Sequence, residues 1–313
     1  MKLSIVATLY KSSVYIPEFY RRASAVARQL VDEDYEIVLV NDGSPDGDFD
    51  IAVEFAKNDQ HVVVVDLSRN FGHHKAMMTG LAYARGQQVF LIDSDLEEDP
   101  EWLLSFERQM QDEVSDVVFG VQSKRRGGVI EQATGSIFYR LFRILSGISQ
   151  PNNIVTARLM SRRYVDALLL HQERELNIGG LWVITGFKQC SQIVEKRSMS
   201  PTTYSFSRKL SHFVNAVTSF SSLPLVFTFY SGLLISISAA VFIVYLIIKY
   251  LFIASPPDGY TSVIASIWLF SGLIIFFVGV QGIYISKVFS EVKQRPYTIV
   301  RDVYKRTQEQ KLQ

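Results

Sequence analysis

Two long stretches free of charge constrain this chain more than any other feature. No Asp, Glu, Lys or Arg occurs between Lys209 and Lys249, and none between Asp258 and Lys287. Inside them lie LPLVFTFYSGLLISISAAVFIVYLII and SVIASIWLFSGLIIFFVGVQGIYIS, each longer than the ~20 apolar residues that cross a hydrocarbon core of about 30 Å. Core helices of soluble proteins run shorter and keep a polar face, so the pattern predicts two transmembrane helices. SPPDGY stands between them, and its Pro-Pro and Asp-Gly pairs predict a turn that closes a helical hairpin.

Arg208 and Lys209 precede the first span, and Lys287, Lys293, Arg295, Arg301, Lys305 and Arg306 follow the second, whereas the turn carries no Lys or Arg. The positive-inside rule therefore places the N-terminal part and both termini in the cytoplasm, on a protein integral to the cytoplasmic (inner) membrane. Just before the first span, Leu210, Phe213, Val217 and Phe220 recur at three- and four-residue spacing. Such a stripe suits a helix lying in the headgroup layer, or equally one packed on its own domain.

The remainder is a folding, soluble sequence. The whole chain of 313 residues is 48% apolar and 20% charged, which excludes disorder, and its 32 basic and 31 acidic residues leave no excess charge for general nucleic-acid binding. A lone Cys190 excludes an internal disulfide. MKLSIVATLY reads as a first strand rather than a cleaved leader. From there strand-like and helix-like runs alternate: LSIVATLY, PEFYRRASAVARQLV, EIVLVND, FDIAVEFAKN, VVVVDLS, HKAMMTGLAYARG, QVFLIDSD, PEWLLSFERQMQ, DVVFGV. Continuous Val/Ile/Leu strands predict an α/β domain with a mostly parallel sheet buried on both faces.

Ligands of such sheets bind beyond the carboxyl ends of the strands, and those ends are polar here: Tyr10, Asn41-Asp42-Gly43-Ser44, Asp66 and Asp93-Ser94-Asp95. Neither GxGxxG nor GxxxxGK[ST] is present, against a dinucleotide dehydrogenase and a P-loop ATPase. Asp93 and Asp95 offer hard oxygens suited to Mg²⁺ or Mn²⁺ that keeps water and phosphate in its shell. Alone they fit a solvated turn or a cap for the helix starting near Pro100 equally well.

Together, LVNDGSPDG, DLSRNFGHHKAMMTGLAYARG, LIDSDLEEDPEW, VVFGVQSKRRG, FYRLFRILSG, AVTSFSSLPL and FSEVKQRPYTIV make the chain resemble the family 2 glycosyltransferases of GT-A fold, specifically polyprenyl-phosphate glycosyltransferases with two C-terminal membrane helices. The resemblance implies a GT-A domain over 1–200, an interfacial amphipathic segment over 201–222, a transmembrane hairpin over 223–290 and a basic tail over 291–313. It implies a nucleotide-sugar site of Thr8, Tyr10, Asp42, Arg69 and Asp93, with Asp42 at the base, and a metal pair of Asp93 and Asp95. Asp93, Asp95 and Glu97 form the implied catalytic set, Glu97 standing where the family usually has Gln. Arg125, Arg126, Arg158 and Arg208 are placed by it for donor or acceptor phosphate. Arg69 and Asn70 also read as a turn with a helix cap, and Trp182 as a stacking platform or a core aromatic.

Three departures stand out. The opening Pro-x-Tyr-Asn-Glu becomes Thr8-Leu9-Tyr10-Lys11-Ser12, and Gly-Glu-Ser-Lys-Tyr-Ser becomes Ser200-Pro201-Thr202-Thr203-Tyr204-Ser205. Asp-x-Gly-Asp-Phe-Arg-Leu becomes Asn153-Ile154-Val155-Thr156-Ala157-Arg158-Leu159, so the carboxylate often proposed as a base is missing. A hydroxyl acceptor gains from a base, typically 10²- to 10⁴-fold. A phosphate monoester, with a second pKa of about 6, is already anionic and needs none. The expected partners are therefore a nucleotide sugar, a polyprenyl phosphate and the membrane. The competing expectations are transfer to a hydroxyl of a lipid-linked saccharide, with Asp99, His73 or His74 as base, and a non-catalytic nucleotide-sugar-binding partner. Small residues such as Gly232, Gly272 and Gly279 permit close helix packing within a hairpin or in a homo-oligomer.

Overall fold

The computed structural model describes residues 1–122, 153–174, 177–197, 214, 217–218, 221–253 and 259–306. The chain divides into two compact units. One comprises Met1–Tyr139, Ile148–Ser205 and Arg295–Gln313, the other Arg140–Gly147 and Phe206–Gln294.

In the first unit an eight-stranded sheet is ordered β7-β5-β6-β4-β1-β2-β3-β8. Its strands are β1 (Leu3–Leu9), β2 (Tyr35–Asn41), β3 (Val62–Leu67), β4 (Gln88–Leu91), β5 (Val117–Gln122), β6 (Ile154–Ser161), β7 (Gln189–Val194) and β8 (Val300–Lys305). β1 pairs in parallel with β2 and β4, and β2 with β3, whereas β6 runs against both β4 and β5, and β8 against β3. Every residue of β1 and β2 is buried, as helices on both faces require.

The crossovers are α1 (Ile16–Val31), α2 (Asp48–Asn58), α3 (His73–Tyr83) and α4 (Trp102–Glu113), followed by the short α5 (Arg162–Leu168) and α6 (Ile178–Ile184). In α1, Pro17 takes the first turn, where a missing N–H costs nothing. Ile16, Phe19, Ala23, Val26 and Ala27 then form one apolar face on the sheet. Asp32 ends the helix at φ 54°, its amide closing on the Arg28 carbonyl. α3 lies close to the strands because of Gly80: a Cβ there would stand 2.5 Å from Val6 Cγ1 and 2.9 Å from Val40 Cγ2. On the far side Phe90 meets Phe106 edge to face at 6.1 Å, each fully buried and worth about 1.5–3 kcal/mol in burial alone.

The segment that reads from sequence as a basic tail, 291–313, instead contains β8. Its Val-Arg-Asp-Val-Tyr-Lys run covers the outer edge of β3, and Tyr304 packs edge to face on Phe49 of α2 at 5.5 Å. Thr298 Oγ1 lies 2.8 Å from Thr79 Oγ1 of α3, and the Ser68 amide donates to the Ile299 carbonyl. An exposed strand edge is a pairing hazard, and covering it gives this charged segment a structural role that its composition conceals.

The second unit holds α7 (Leu223–Ile253) and α8 (Tyr260–Val292), which touch each other. Tyr284 Oη donates to the Ser221 carbonyl at 2.6 Å. Among the described residues Ser266–Val292 is long and apolar enough to cross a membrane, with Trp268, Ile275 and Phe276 exposed, and Leu223–Ile235 is a shorter apolar stretch. Of the proposed interfacial segment, Val217 is buried, while Leu210, Phe213 and Phe220 lie outside the described residues.

Candidate active site

β1 lies between β2 and β4, and the chain runs outward through β2 and β3 before returning to β4 on the other side. This reversal opens a crevice at the carboxyl ends of β1 and β4, the usual ligand site of open α/β sheets.

The β2 side of the crevice is a cradle of backbone hydrogen bonds. Gly43 adopts φ +61°, and any Cβ there would fall 2.5 Å from the Asn70 amide nitrogen, so the turns after β2 and β3 can touch. That approach lets Asp42, 2% exposed, accept from the amides of Phe71 at 2.7 Å and Gly72 at 3.1 Å. Burial raises its pKa above the usual carboxylate range, against those two amides. Asn41 Nδ2 donates to Asp66 Oδ1 at 2.8 Å, and its Oδ1 accepts from the Ser44 amide. Asp42, expected to read a base, thus also holds the loop that starts α3 through one hydrogen bond to each oxygen. Tyr10 is 47% exposed on the same rim, where the following amide of Lys11 donates to Ser44 Oγ. Arg69 stacks on Phe71 at 4.1 Å and donates to the Asn70 carbonyl.

The β4 side is built differently. Ser94 Oγ donates to the Thr8 carbonyl at 2.8 Å, which pins the turn after β4 to the end of β1. Thr8 Oγ1 lies 3.0 Å from His73 Nδ1, and His73 Nε2 stands 3.3 Å from Asp93 Oδ1, at ion-pair distance, while that buried oxygen lacks a hydrogen-bond donor. Asp95 Oδ1 accepts from the Glu97 amide at 3.0 Å. Glu98 is fully buried and accepts from the Thr156 amide at 3.0 Å through Oε1, its Oε2 having no hydrogen-bond partner. The backbone of Thr156, where the family carboxylate is missing, therefore holds another carboxylate, one sealed from solvent.

Sequence reasoning missed the cation of this cluster. Lys196 Nζ lies 3.2 Å from Glu97 Oε2, 3.6 Å from Glu98 Oε1 and 3.9 Å from Asp93 Oδ2. Burial alone would raise the pKa of Asp93, but His73 and Lys196 outweigh it and hold the carboxyl below its ordinary value. Asp95 moves the other way, raised chiefly by burial. Burial, and next the charge of Asp93, push Glu98 up to about 8. The surrounding carboxylates more than offset the desolvation of Lys196 and keep its ammonium charged.

Other expected residues are placed otherwise. Arg158, proposed for lipid phosphate, is 1% exposed; its guanidinium lies 2.9 Å from the Trp182 ring centroid and donates to the Thr156 carbonyl. It packs the core and cannot meet a lipid. Trp182 is correspondingly a largely buried aromatic that borders a cavity. Asp99, an alternative base, is held by Arg22 at 2.6 Å and Arg197 at 3.2 Å. Arg125, Arg126 and Arg208 lie outside the described residues.

The cavity, about 470 Å³, sits beside the carboxylates and is lined in part by His73, His74, Thr156, Asn177, Trp182 and Lys196. Its size suits a small polar ligand. Among the described residues no group of three or more His, Cys, Asp or Glu is arranged to hold a metal alone. Two hard carboxylates, one with an oxygen lacking a donor, do fit a Mg²⁺-type ion that takes its other ligands from water and phosphate.

A mixed α/β sheet with strand-end carboxylates walling its switch-point crevice defines a ligand-binding α/β domain. The chain belongs to glycosyl transferase family 2, whose model matches residues 4–169, from β1 to the end of α5. It is 51% identical over 304 residues to a protein named among "Putative glycosyltransferases" of Mycobacterium tuberculosis (strain CDC 1551 / Oshkosh), covering 97% of this chain and 89% of that one. It is 31% identical to the "Prophage bactoprenol glucosyl transferase homolog" of Escherichia coli (strain K12), covering 97% of this chain and 100% of that one. Among solved structures, S. aureus TarS 1-349 in complex with UDP-GlcNAc is 18% identical with a TM-score of 0.47, covering 70% of this chain and 66% of that one.

Proposed function

We propose that this glycosyltransferase moves a sugar from a nucleotide sugar, UDP-linked in the first instance, onto a polyprenyl phosphate at the cytoplasmic face of a membrane, with inversion, for cell-surface glycan assembly. The observation that carries this reading is the full-length match to a relative named as a bactoprenol glucosyl transferase homolog, which takes in the sheet and the apolar helices alike.

The connectivity supports two membrane crossings. The chain leaves the sheet unit at Ser205 and rejoins it at Arg295 to add β8. One sheet cannot straddle a bilayer, so if Ser266–Val292 crosses, the segment between Ser205 and Arg295 must cross an even number of times. α7, from Leu223 to Ile253, is the helix available for the second passage. This keeps both termini with the sheet, as the flanking Lys and Arg residues imply.

Asp93 and Asp95 would hold Mg²⁺ or Mn²⁺ in the donor site, with Glu97 close by. Charge neutralisation on the departing nucleoside diphosphate is what such an ion supplies when bound. Ser94 fixes the strand ends on which both carboxylates stand. Tyr10 and Arg69 offer an aromatic face and a guanidinium on the rim for the nucleotide. His73, His74 and Asn177 line the adjoining cavity with groups able to meet the acceptor anion.

The second reading, a hydroxyl acceptor, keeps His73 as its candidate base: the ring lies at the cavity with Nε2 toward Asp93, and an acceptor hydroxyl would have to take the place of Thr8 at Nδ1. Nucleoside diphosphate release by the purified protein in detergent, tested across a panel of nucleotide sugars, separates the two. Release that rises on adding undecaprenyl phosphate supports the first reading. Equal stimulation by undecaprenol, or by a lipid-linked saccharide without free phosphate, overturns it.

A further inference from the structure

Lys196 reaches the crevice from the far edge of the sheet. It follows the end of β7 by two residues, and β7 runs parallel to β5, so it emerges at the same carboxyl edge as the acidic turn after β4. The Arg197 amide donates to the Glu97 carbonyl at 2.8 Å, which fixes the backbone of this segment against that turn. The ammonium is then the cation shared by Asp93, Glu97 and Glu98.

Asp93, Asp95, Glu97 and Glu98 all fall within six consecutive residues, and two buried oxygens, Asp93 Oδ1 and Glu98 Oε2, have no hydrogen-bond donor among the described residues. Carboxylates gathered in so small a volume repel each other at low dielectric. A divalent ion at Asp93 and Asp95 would relieve that repulsion and would also repel an ammonium 3.9 Å from Asp93 Oδ2.

We propose that Lys196 is an internal counter-cation: it holds the Asp93 cluster together when no divalent ion is bound, and it lowers the affinity of the site for that ion by competing for Asp93. This inference rests on the assignment of Asp93 and Asp95 as the metal pair. Lys196 acts as a positioning residue through the carboxylates, with Glu97, its nearest partner, holding the ammonium in place when Asp93 turns to the ion.

The test is Mn²⁺ binding to the purified full-length protein in detergent, without donor or acceptor, read from the electron paramagnetic resonance signal of free Mn²⁺. Lys196→Met is expected to bind Mn²⁺ about tenfold more tightly than wild type, and Lys196→Arg to match wild type. In chelator, Lys196→Met is expected to melt below wild type and to recover on Mn²⁺ addition. Lys196→Gln, whose amide can still donate to the carboxylates, is expected to tighten binding in the same direction and serves if the methionine variant does not fold. Asp95→Asn reports on the metal pair itself and is expected to weaken Mn²⁺ in both backgrounds. If Asp95→Asn weakens binding but neither Lys196→Met nor Lys196→Gln tightens it, the counter-cation role is wrong and the metal pair stands. If Asp95→Asn leaves Mn²⁺ binding unchanged, the metal pair falls, and this inference with it.

Discussion

At the end of β2, Asp42 gives both oxygens to the amides of Phe71 and Gly72; at the end of β4, Asp93 faces side chains, those of His73, Lys196 and Thr156. Both aspartates follow apolar strands on either side of β1, Asp42 buried and Asp93 half-buried. Backbone donors cannot leave without unfolding the loop, so Asp42 has an architectural role whatever else its remaining lone pairs accept. Side-chain cations can be exchanged for a ligand's cation, so Asp93 remains available for chemistry. An acidic strand end therefore says little until its partners are known.

The strongest test of that contrast is on the β4 side. Asp95→Ala is expected to lower sugar transfer by at least about 10³-fold while leaving the circular dichroism spectrum and membrane insertion unchanged, since it removes an electrostatic contact made to the reacting donor. Undiminished transfer by the purified variant would erase the distinction.

On the β2 side the effect should fall on stability. Asp42→Ala orphans two amide donors at about 1–3 kcal/mol each, and urea unfolding of the protein should register a loss of that order. Asp42→Asn keeps one acceptor and should lose less. If Asp42→Ala unfolds normally yet abolishes donor binding, Asp42 belongs with Asp93.

The contrast marks where sequence reading succeeds. Continuous apolar strands such as Tyr35–Asn41 announce a doubly covered sheet because both faces are buried. The acidic turn after β4 is visible because its residues are adjacent in the chain. Lys196 is invisible because about a hundred residues separate it from Asp93 and only the pairing of β7 with β5 brings it near. β8 is hidden because Arg301, Asp302 and Lys305 give an edge strand the composition of a tail. Arg158 misleads for a related reason: a guanidinium on a strand reads as a phosphate ligand, whereas stacking on Trp182 lets it be buried.

Glu98 sharpens the comparison through pH. In the unfolded chain it titrates at about its ordinary 4.5, whereas the folded protein keeps its proton up to about 8. The unfolded chain therefore binds fewer protons between those values, and stability falls as pH rises from about 4.5 to about 8, then levels off. Glu98→Gln should flatten that slope in urea midpoints measured across the range; an unchanged slope would show that Glu98 is ionised in the fold.

The smallest effect is expected at the strap. Arg301, largely exposed, lies 3.5 Å from Asp66 Oδ2 and donates to the Ser68 carbonyl. Arg301→Ala should cost about 0–1 kcal/mol in urea unfolding, less at high salt, because its guanidinium lies largely in solvent even though Asp66 is buried. A larger loss would mean that β8 holds the β2 side together rather than merely covering its edge.

The most direct measurement is release of nucleoside diphosphate by purified protein in detergent, with Mg²⁺ or Mn²⁺ supplied or removed by excess chelator, and with polyprenyl phosphate present or absent. The account predicts rapid release only when both the divalent ion and the lipid phosphate are present. Full-rate formation of glycolipid in excess chelator would contradict it.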